Sequence, residues 1–247
     1  MIYQNSEFYD NLSEFYDGMI DFKKSLVKKS ELLKNFTGGC KSALDVGCGT
    51  GVDSIALALN GLKVTAIDPS PKMIERAVEN AFQSNVEINF INGVMENVDL
   101  PRGEYFDIAV SLGNAAANIP TDELIFTLQK IHDMLGSGGK LLIQILNYDL
   151  ILEKQERIVN ISKSGENYIV RFYDFEWDIV RFNILVFNEK DRSNYQMFSS
   201  QIFTHTKCEM GSILKDCGFS NIELFGGLDK SVFDPGKSKD LIMAASK

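Results

Sequence analysis

The sequence has few residues suited to holding a metal ion. It contains 2 histidines and 4 cysteines in 247 residues, and they are scattered along the chain. No two cysteines form a C-x-x-C pair, so a dedicated zinc site is not expected. We expect the cysteines to be reduced thiols, as in a cytoplasmic protein, with Cys48 as a small packing residue. The cysteines are Cys40, Cys48, Cys208 and Cys217.

Long apolar runs and clusters of basic residues are also lacking. No run approaches the roughly 18 apolar residues that a membrane span requires, so no membrane partner is expected. Met1–Asn5 shows no signal-peptide pattern, which also favours a cytoplasmic location. The net charge of −9 repels phosphate polymers, and the basic clusters are limited to Lys23-Lys24 and Lys28-Lys29. Nucleic acid is therefore a poor candidate partner, unless a local basic groove overrides the net charge.

One stretch of the sequence has the pattern of a buried strand, a tight turn and a helix. Ala43–Val46 leads directly into three glycines at alternate positions, Gly47, Gly49 and Gly51. Glycine adopts positive φ easily and lets a ligand approach the backbone without a Cβ atom in the way. The apolar spacing of Val52–Leu59 then predicts a helix whose free N–H groups face that ligand.

The glycine spacing departs from that of a dinucleotide-binding loop. The G-x-G-x-x-G fingerprint would need a third glycine where this chain has Val52. A second predicted strand, Lys63–Ile67, ends at Asp68, about 20 residues beyond the loop, where a carboxylate can accept hydrogen bonds from a ribose diol. NAD enzymes share this feature, so Asp68 indicates a nucleoside ligand in general. Ser70 and Pro71 then predict the start of the next helix.

The Asp-x-Gly-x-Gly-x-Gly pattern from Asp45 to Gly51 resembles the glycine-rich loop of class I S-adenosylmethionine (SAM) methyltransferases. The resemblance implies that Asp45 helps to hold the methionine end of SAM and that Met73 packs on adenine. Many relatives have an aspartate where this chain has Val94, after the third predicted strand, Val86–Ile91. The implied cofactor-binding residues are Asp45, Gly47, Cys48, Gly49, Gly51, Asp68, Pro69, Met73, Gly93, Met95, Glu96 and Leu112. Asn92 is the alternative to Glu96 as a side-chain partner of adenine.

Two further strand ends are similar to those of the glycine and sarcosine N-methyltransferase group. Leu112-Gly113-Asn114 follows the fourth predicted strand, Phe106–Ser111, and Asn147-Tyr148 follows the fifth, Lys140–Leu146. This resemblance implies that Asn114 lies near the methyl donor and that Asn147 contacts the acceptor. Asn118 and Tyr148 are candidate substrate-binding residues on the same grounds. The alternative for Asn147 is an ordinary turn residue.

The N-terminal region, residues 1–36, has a helical and aromatic pattern. Tyr-Asp occurs twice, seven residues apart, so Tyr9 and Tyr16 fall on one helix face. This pattern resembles the N-terminal cover of small-molecule methyltransferases, which implies that Tyr16 faces the methyl donor and the acceptor. Relatives often carry an arginine where this chain has Ser25, and Lys24 or Lys28 is a candidate substitute. The alternative is an amphipathic helix that only docks on the core.

The rest of the chain completes an α/β fold: a Rossmann-like seven-stranded methyltransferase sheet with helices on both faces, plus an antiparallel β insert after the fifth strand. We expect a SAM-binding core over residues 37–152, the insert over 153–204 and the end of the core over 205–247. Strands are predicted at 168–175, 177–187 and 194–204 of the insert, which we expect to cover the active site. Arg171, among its aromatic residues, is a candidate clamp for an acceptor carboxylate or a solvated cross-strand partner.

These patterns predict a methyltransferase that moves the SAM methyl group to a small-molecule acceptor, an amine or amino-acid nitrogen. Tyr16, Asn114 and Asn147 are the predicted catalytic residues, because they position the acceptor behind the methyl group. No metal is expected, and the chain is expected to be a monomer or a homodimer. Three alternatives remain open: a methyltransferase acting on protein or tRNA, an NAD(P) oxidoreductase, and a SAM-binding protein without catalysis.

Overall fold

The computed structural model describes residues 4–98, 105–177, 179–191 and 193–247. Residues 1–3 of the predicted N-terminal cover and Asp178 of a predicted strand lie outside the described residues. The helices are α1 (Gln4–Ile20), α2 (Phe22–Thr37), α3 (Val52–Leu59), α4 (Pro71–Gln83), α5 (Thr121–Met134), α6 (Tyr148–Lys154) and α7 (Lys207–Asp216). The strands are β1 (Ser42–Val46), β2 (Lys63–Asp68), β3 (Asn89–Asn92), β4 (Phe106–Ser111), β5 (Leu135–Leu146), β6 (Ile158–Ser164), β7 (Asn167–Phe175), β8 (Val180–Asn188), β9 (Tyr195–Ile202), β10 (Ser220–Phe225) and β11 (Asp240–Ser246).

The main sheet has seven strands in the order β10-β11-β5-β4-β1-β2-β3. β1 to β5 are parallel, and β11 is antiparallel to both of its neighbours. The chain builds β1, β2 and β3 to one side and then crosses to β4 on the other. Ligands of open α/β sheets bind at such a reversal, beyond the carboxyl ends of the strands. The predicted fold class is therefore confirmed.

Apolar residues on both faces of the main sheet explain why helices cover both sides. Leu44 and Ala109 face a core that includes α5 and α7, whereas Ala43 and Ile108 face a core that includes α2 and α3. Successive residues of a strand point to opposite faces, so a strand buried on both faces is an almost continuous apolar run. The cavity described below lies at the edge that these two layers leave open.

The insert forms a separate antiparallel sheet in the order β6-β7-β8-β9. Its strand β6 was not among the strands predicted from the sequence. One face of this sheet packs against α1, with Ile169, Ile184 and Val186 in contact with Phe8 and Leu12. α1 is therefore placed between the insert and the main sheet.

Some element boundaries differ from the sequence-based prediction. β3 begins at Asn89 rather than Val86, because the preceding residues close the end of α4, where Asn85 takes a left-handed φ of 54°. The glycine run after α5 is part of β5 instead of a simple break. Between the pairs Phe106–Leu135 and Ile108–Lys140 the register shifts, which accommodates the extra residues as a bulge.

Candidate functional site

The glycine-rich turn joins the end of β1 to the start of α3. Gly47, Gly49 and Gly51 have φ angles of 81°, 53° and 85°, a region that residues with a Cβ atom rarely adopt. A Cβ atom on Gly47 would lie 2.6 Å from that of Ala115, whereas one on Gly49 would have nothing within 4 Å. Gly47 therefore allows the turn to pack closely against the segment after β4, and Gly49 borders open space.

Asp68 lies at the carboxyl end of β2, next to this turn. Its Oδ2 accepts a hydrogen bond of 2.8 Å from the backbone N–H of Gly49, and its Oδ1 accepts one of 2.9 Å from that of Ser70. Burial raises the pKa of the Asp68 carboxyl to about 6, although both backbone donors act to lower it. The carboxyl group is thus held in one orientation, with lone pairs left to accept hydrogen bonds from a ligand.

A cavity of ≈ 380 Å³ lies beyond the carboxyl ends of the parallel strands, and α1 and α2 contribute to its wall. Its position is the crevice where open α/β sheets bind ligands. Many of the residues singled out from the sequence line it: Tyr16, Gly47, Cys48, Gly49, Asp68, Pro69, Gly93, Met95, Leu112 and Asn118. Residues that come from distant parts of the sequence thus converge on one cavity.

The two Tyr-Asp pairs place tyrosines on one face of α1 and aspartates on another. Tyr9 and Tyr16 line the cavity, with ring centroids 6.3 Å apart in an edge-to-face arrangement. Asp10 Oδ1 accepts a hydrogen bond of 2.5 Å from the hydroxyl of the N-cap serine of α4, and Asp17 Oδ2 pairs with Arg76 Nε at 2.6 Å. Residues seven apart share a helix face. The repeat therefore turns both tyrosines towards the cavity while both aspartates fasten α1 to α4.

Both of these phenols stay protonated near neutral pH. Burial raises the pKa of Tyr9 to about 12, and it raises the pKa of Tyr16 as well. The Tyr9 phenol also interacts with the side chain of Asn118. The two hydroxyl groups can exchange hydrogen bonds with a ligand, but they are poor general bases at neutral pH.

Lys29 on α2 and Asp53 in the first turn of α3 form an ion pair, and both line the cavity. The Lys29 Nζ–Asp53 Oδ2 distance is 2.5 Å. Asp53 Oδ1 and the Thr50 hydroxyl are buried and have no hydrogen-bond partner among the described residues. A buried polar atom left without a partner costs about 1–3 kcal/mol. These atoms therefore mark a place where a polar ligand group would be stabilised.

Lys29 is the basic residue that sequence reasoning missed. Lys24 and Lys28, the candidates for the role of the missing arginine, are exposed, and they do not line the cavity. Ser25 does line it. Residues i and i+4 share a helix face, so the position one turn beyond Ser25 was the signal that pointed to Lys29.

The turn after β3 supplies another part of the wall through Gly93, Val94 and Met95. Lys130 on α5 donates hydrogen bonds from Nζ to two carbonyl oxygens of this turn, that of Met95 at 2.7 Å and that of Glu96 at 2.9 Å. The Glu96 side chain is outside the cavity wall. Lys130, which the sequence did not indicate, therefore holds the backbone that faces the ligand.

Three residues predicted at the acceptor lie behind the cavity wall. Asn114 Nδ2 donates to the Tyr148 hydroxyl at 2.8 Å, and Asn114 Oδ1 accepts from the backbone N–H of Leu146 at 3.0 Å. Asn147 is 1% exposed; it caps α6 and donates to two backbone carbonyls of the loop before β11, at 2.9 and 3.0 Å. Their polar atoms are engaged within the protein, so these side chains fasten the ends of β4 and β5.

Three residues predicted at the cofactor are buried in the protein and lie outside the cavity wall. Asp45 accepts a hydrogen bond of 2.5 Å from the hydroxyl of Ser54, and burial raises the pKa of its carboxyl. A Cβ atom on Gly51 would lie 3.1 Å from that of Ala77, so this glycine permits α4 to approach. Met73 is 1% exposed and packs in the interior. None of the three is part of the cavity wall.

The insert sheet packs against α1, and α1 in turn forms part of the cavity wall. No described residue of β6–β9 lines the cavity, so the insert does not cover the site directly as the sequence suggested. Arg171 on β7 is half-buried beside Tyr16, and burial lowers the pKa of its guanidinium. Arg171 therefore lies one residue removed from the cavity, behind the tyrosine that lines it.

Two other features are absent from the described residues. No group of three or more His, Cys, Asp or Glu side chains in that part of the chain is placed to hold a metal ion. In the same residues, no helix has the length and apolar character needed to cross a membrane.

Residues 43–139 match the family described as "Methyltransferase domain". This segment contains the glycine turn and Asp68, and the sheet order around it is that of the class I enzymes. Residues 43–139 therefore form a methyltransferase domain, the chain has the fold of the class I SAM-dependent methyltransferases, and its cofactor is SAM.

Individual relatives show how far the similarity extends. Over 126 residues the chain is 39% identical to glycine N-methyltransferase from Rattus norvegicus, covering 46% of this chain and 43% of the rat protein. Over 195 residues it is 27% identical to glycine/sarcosine N-methyltransferase from Aphanothece halophytica, covering 78% and 71%. A SAM-dependent methyltransferase structure from Clostridium acetobutylicum has a TM-score of 0.79 at 17% identity, covering 96% of this chain and 98% of that one. The chain thus spans less than half the length of the rat relative, and the solved structure supports the fold alone.

Proposed function

We propose that this protein transfers the methyl group of SAM to the nitrogen of a small amine or amino acid. The observation that carries the proposal is the placement of two uncharged phenols, those of Tyr9 and Tyr16, in the wall of the SAM cavity. Uncharged hydrogen-bonding groups can orient a neutral amine without converting it to an unreactive cation. The similarity to glycine and sarcosine N-methyltransferases supports the same class of acceptor.

The polar atoms of the cavity suit SAM. Lys29 Nζ and the Thr50 hydroxyl suit the carboxylate of its methionine end, and Asp53 Oδ1 suits the ammonium group. The Asp68 carboxylate suits the ribose diol. The backbone of Met95, which Lys130 holds, suits the adenine ring. In this proposal the ligand supplies the partners that Thr50 Oγ1 and Asp53 Oδ1 lack in the free protein.

Methyl transfer from SAM requires little acid–base catalysis from the protein. SAM supplies a methyl group already activated by a positively charged sulfur, so the protein must align the acceptor and exclude water. Tyr16 orients the acceptor, with Tyr9 and Asn118 beside it. Asn114 and Asn147 act indirectly, through the strand ends that they fasten. Arg171 acts through Tyr16.

The test is methyl transfer from methyl-labelled SAM to a panel of matched acceptors. Glycine, sarcosine and simple primary amines are compared with the corresponding hydroxy acids and alcohols. Label on nitrogen with none on the oxygen analogues is the expected result. Label found only on the oxygen analogues, on protein or on tRNA would overturn the amine proposal. Tight SAM binding with no transfer to any acceptor would instead indicate a SAM-binding protein without catalysis.

A further inference from the structure

The insert sheet has a second face, opposite the one that packs on α1. Ile169, Ile184 and Val186 point to α1. Because successive strand residues alternate between faces, their neighbours along β7 and β8 point away from it. We call this second side the outer face of the insert.

Two rows of mainly apolar side chains cross the outer face from β6 to β9. The strand register aligns the members of each row directly opposite one another. The first row is Ile161, Val170, Leu185 and Met197, and the second is Lys163, Tyr168, Phe187 and Tyr195. At the sheet edges Ile161 is 63% exposed, Met197 53% and Tyr195 62%. Single exposed apolar residues are ordinary, but a continuous apolar patch of this kind marks an interaction surface.

The outer face carries little unpaired charge for so acidic a chain, since Asp174 of β7 and Arg181 of β8, which also point to this side, both take part in ion pairs. The net charge of the protein is −9, whereas Lys163 is the one charged residue in the two rows. Lys163 pairs with Glu189, and its ammonium lies 5.2 Å from the centre of the Tyr168 ring. Two copies of an acidic chain repel one another over most of their surface. A neutral apolar face is where they can meet at the lowest electrostatic cost.

The outer face is also large enough to form an interface between two copies of the protein. Four strands about 4.8 Å apart, each contributing about eight residues at roughly 3.3 Å, span an area of about 500 Å². Two copies would together cover about 1,000 Å², which reaches the threshold for a specific interface. A sheet face can also cover its own copy by ordinary sheet-on-sheet packing, at a separation of about 10 Å.

We propose that the outer face of the insert is the interface of a homodimer, in which the insert sheets of two copies pack face to face about a two-fold axis. Such an interface is self-complementary, because the same rows are buried on both copies. The cavity wall contains no described residue of β6–β9, so dimer formation and SAM binding are separable. An interface near the lower size limit should dissociate on dilution.

The test compares matched lysine substitutions by analytical ultracentrifugation over a range of protein concentrations. The wild-type protein should sediment as a species of twice 27.7 kDa that dissociates on dilution. Ile161→Lys combined with Met197→Lys should sediment as a monomer, because it buries two charges in the interface. The control, Phe82→Lys combined with Val232→Lys, changes two residues that are 86% and 88% exposed elsewhere and should leave the dimer intact.

SAM binding by calorimetry verifies that each variant is folded. A wild-type protein that is monomeric at all concentrations would overturn the proposal, and so would a dimer that survives the Ile161→Lys/Met197→Lys change. A second measurement needs no substitution. Oxidation of Met197 by peroxide should slow as the wild-type concentration rises, and an unchanged rate would contradict burial of this face.

Discussion

The backbone N–H of Gly49 donates a 2.8 Å hydrogen bond to Oδ2 of Asp68, and this bond joins the glycine turn after β1 to the end of β2. The same carboxyl group also borders the cavity. The Asp68 side chain therefore both fixes the turn and presents hydrogen-bond acceptors to the ligand. This double role makes Asp68 the residue at which cofactor binding should be most sensitive to substitution.

Asp68→Ala should lower the affinity for SAM by about 10- to 100-fold at pH 8. Hydrogen bonds to a charged group contribute roughly 1.5–3 kcal/mol, and each 1.4 kcal/mol is tenfold in affinity. Calorimetric titration with SAM and S-adenosylhomocysteine measures the loss. Glu87→Ala is the control, since Glu87 is an exposed carboxylate beside β3. Equal affinities for wild type and Asp68→Ala would exclude Asp68 as a ligand of the nucleoside.

SAM affinity should also depend on pH between 5 and 7. Burial raises the pKa of Asp68 to about 6, so the carboxyl group becomes protonated as the pH falls through that value. Protonation removes the charge and part of the acceptor capacity. Affinity should therefore be highest above pH 7 and fall towards pH 5. Asp45, whose pKa is also raised by burial, is present in both wild type and Asp68→Ala, so the difference between their two pH profiles isolates Asp68.

The sequence predicted the fold and much of the cavity because those features depend on local patterns. Glycine spacing, strand–helix alternation and a strand-final carboxylate are all short-range signals. The turn at Gly47–Gly51 and the end of β2 at Asp68 were found in this way. The directions of the side chains at the strand ends could not be predicted from the sequence. Asn114 and Asn147 stand at the expected positions, but they bind the protein instead of facing the cavity.

Lys29→Met should weaken SAM binding selectively at the methionine end. The proposed contact with the carboxylate is a charge-assisted hydrogen bond, so a loss of about 10- to 100-fold is expected. 5′-Methylthioadenosine lacks that amino-acid end and should bind wild type and variant equally. Lys28→Met, one residue away and exposed, is the matched control. If both ligands lost affinity to the same extent, the effect would be structural and the assignment of Lys29 would be wrong.

Tyr16→Phe should reduce kcat by about tenfold and leave SAM affinity nearly unchanged. The hydroxyl is proposed to orient the acceptor, and one orienting hydrogen bond contributes about 1–1.5 kcal/mol. The buried phenol has a raised pKa, so the kcat profile of the wild-type protein should show no phenol ionisation below pH 9. A reduced kcat with unchanged SAM affinity distinguishes this role from a structural one. An unchanged kcat and KM in Tyr16→Phe would refute it.

The missed residues share a physical reason. Lys29, Asp53 and Lys130 act across helix–helix and helix–turn contacts whose partners are distant in sequence. Lys28 and Lys29 belong to one basic run, and within it only the spacing of four residues from Ser25 distinguishes Lys29. Only the packing of α2 on α3 turns one ammonium towards the cavity and leaves the other in solvent. Tertiary contacts thus decide which of several equivalent side chains becomes part of the site.

Asn147→Ala should lower stability, with little effect on the acceptor. Asn147 caps α6 and satisfies two carbonyls of the loop before β11. Loss of a cap costs about 0.5–2 kcal/mol and buried carbonyls without donors add to it, so roughly 2–4 kcal/mol is expected. Urea unfolding measures the loss, with exposed Asn194→Ala as the control. At a temperature where the variant stays folded, KM for the acceptor should match that of wild type. A raised KM with unchanged stability would mean that Asn147 contacts the acceptor after all, and that the loops rearrange to expose it.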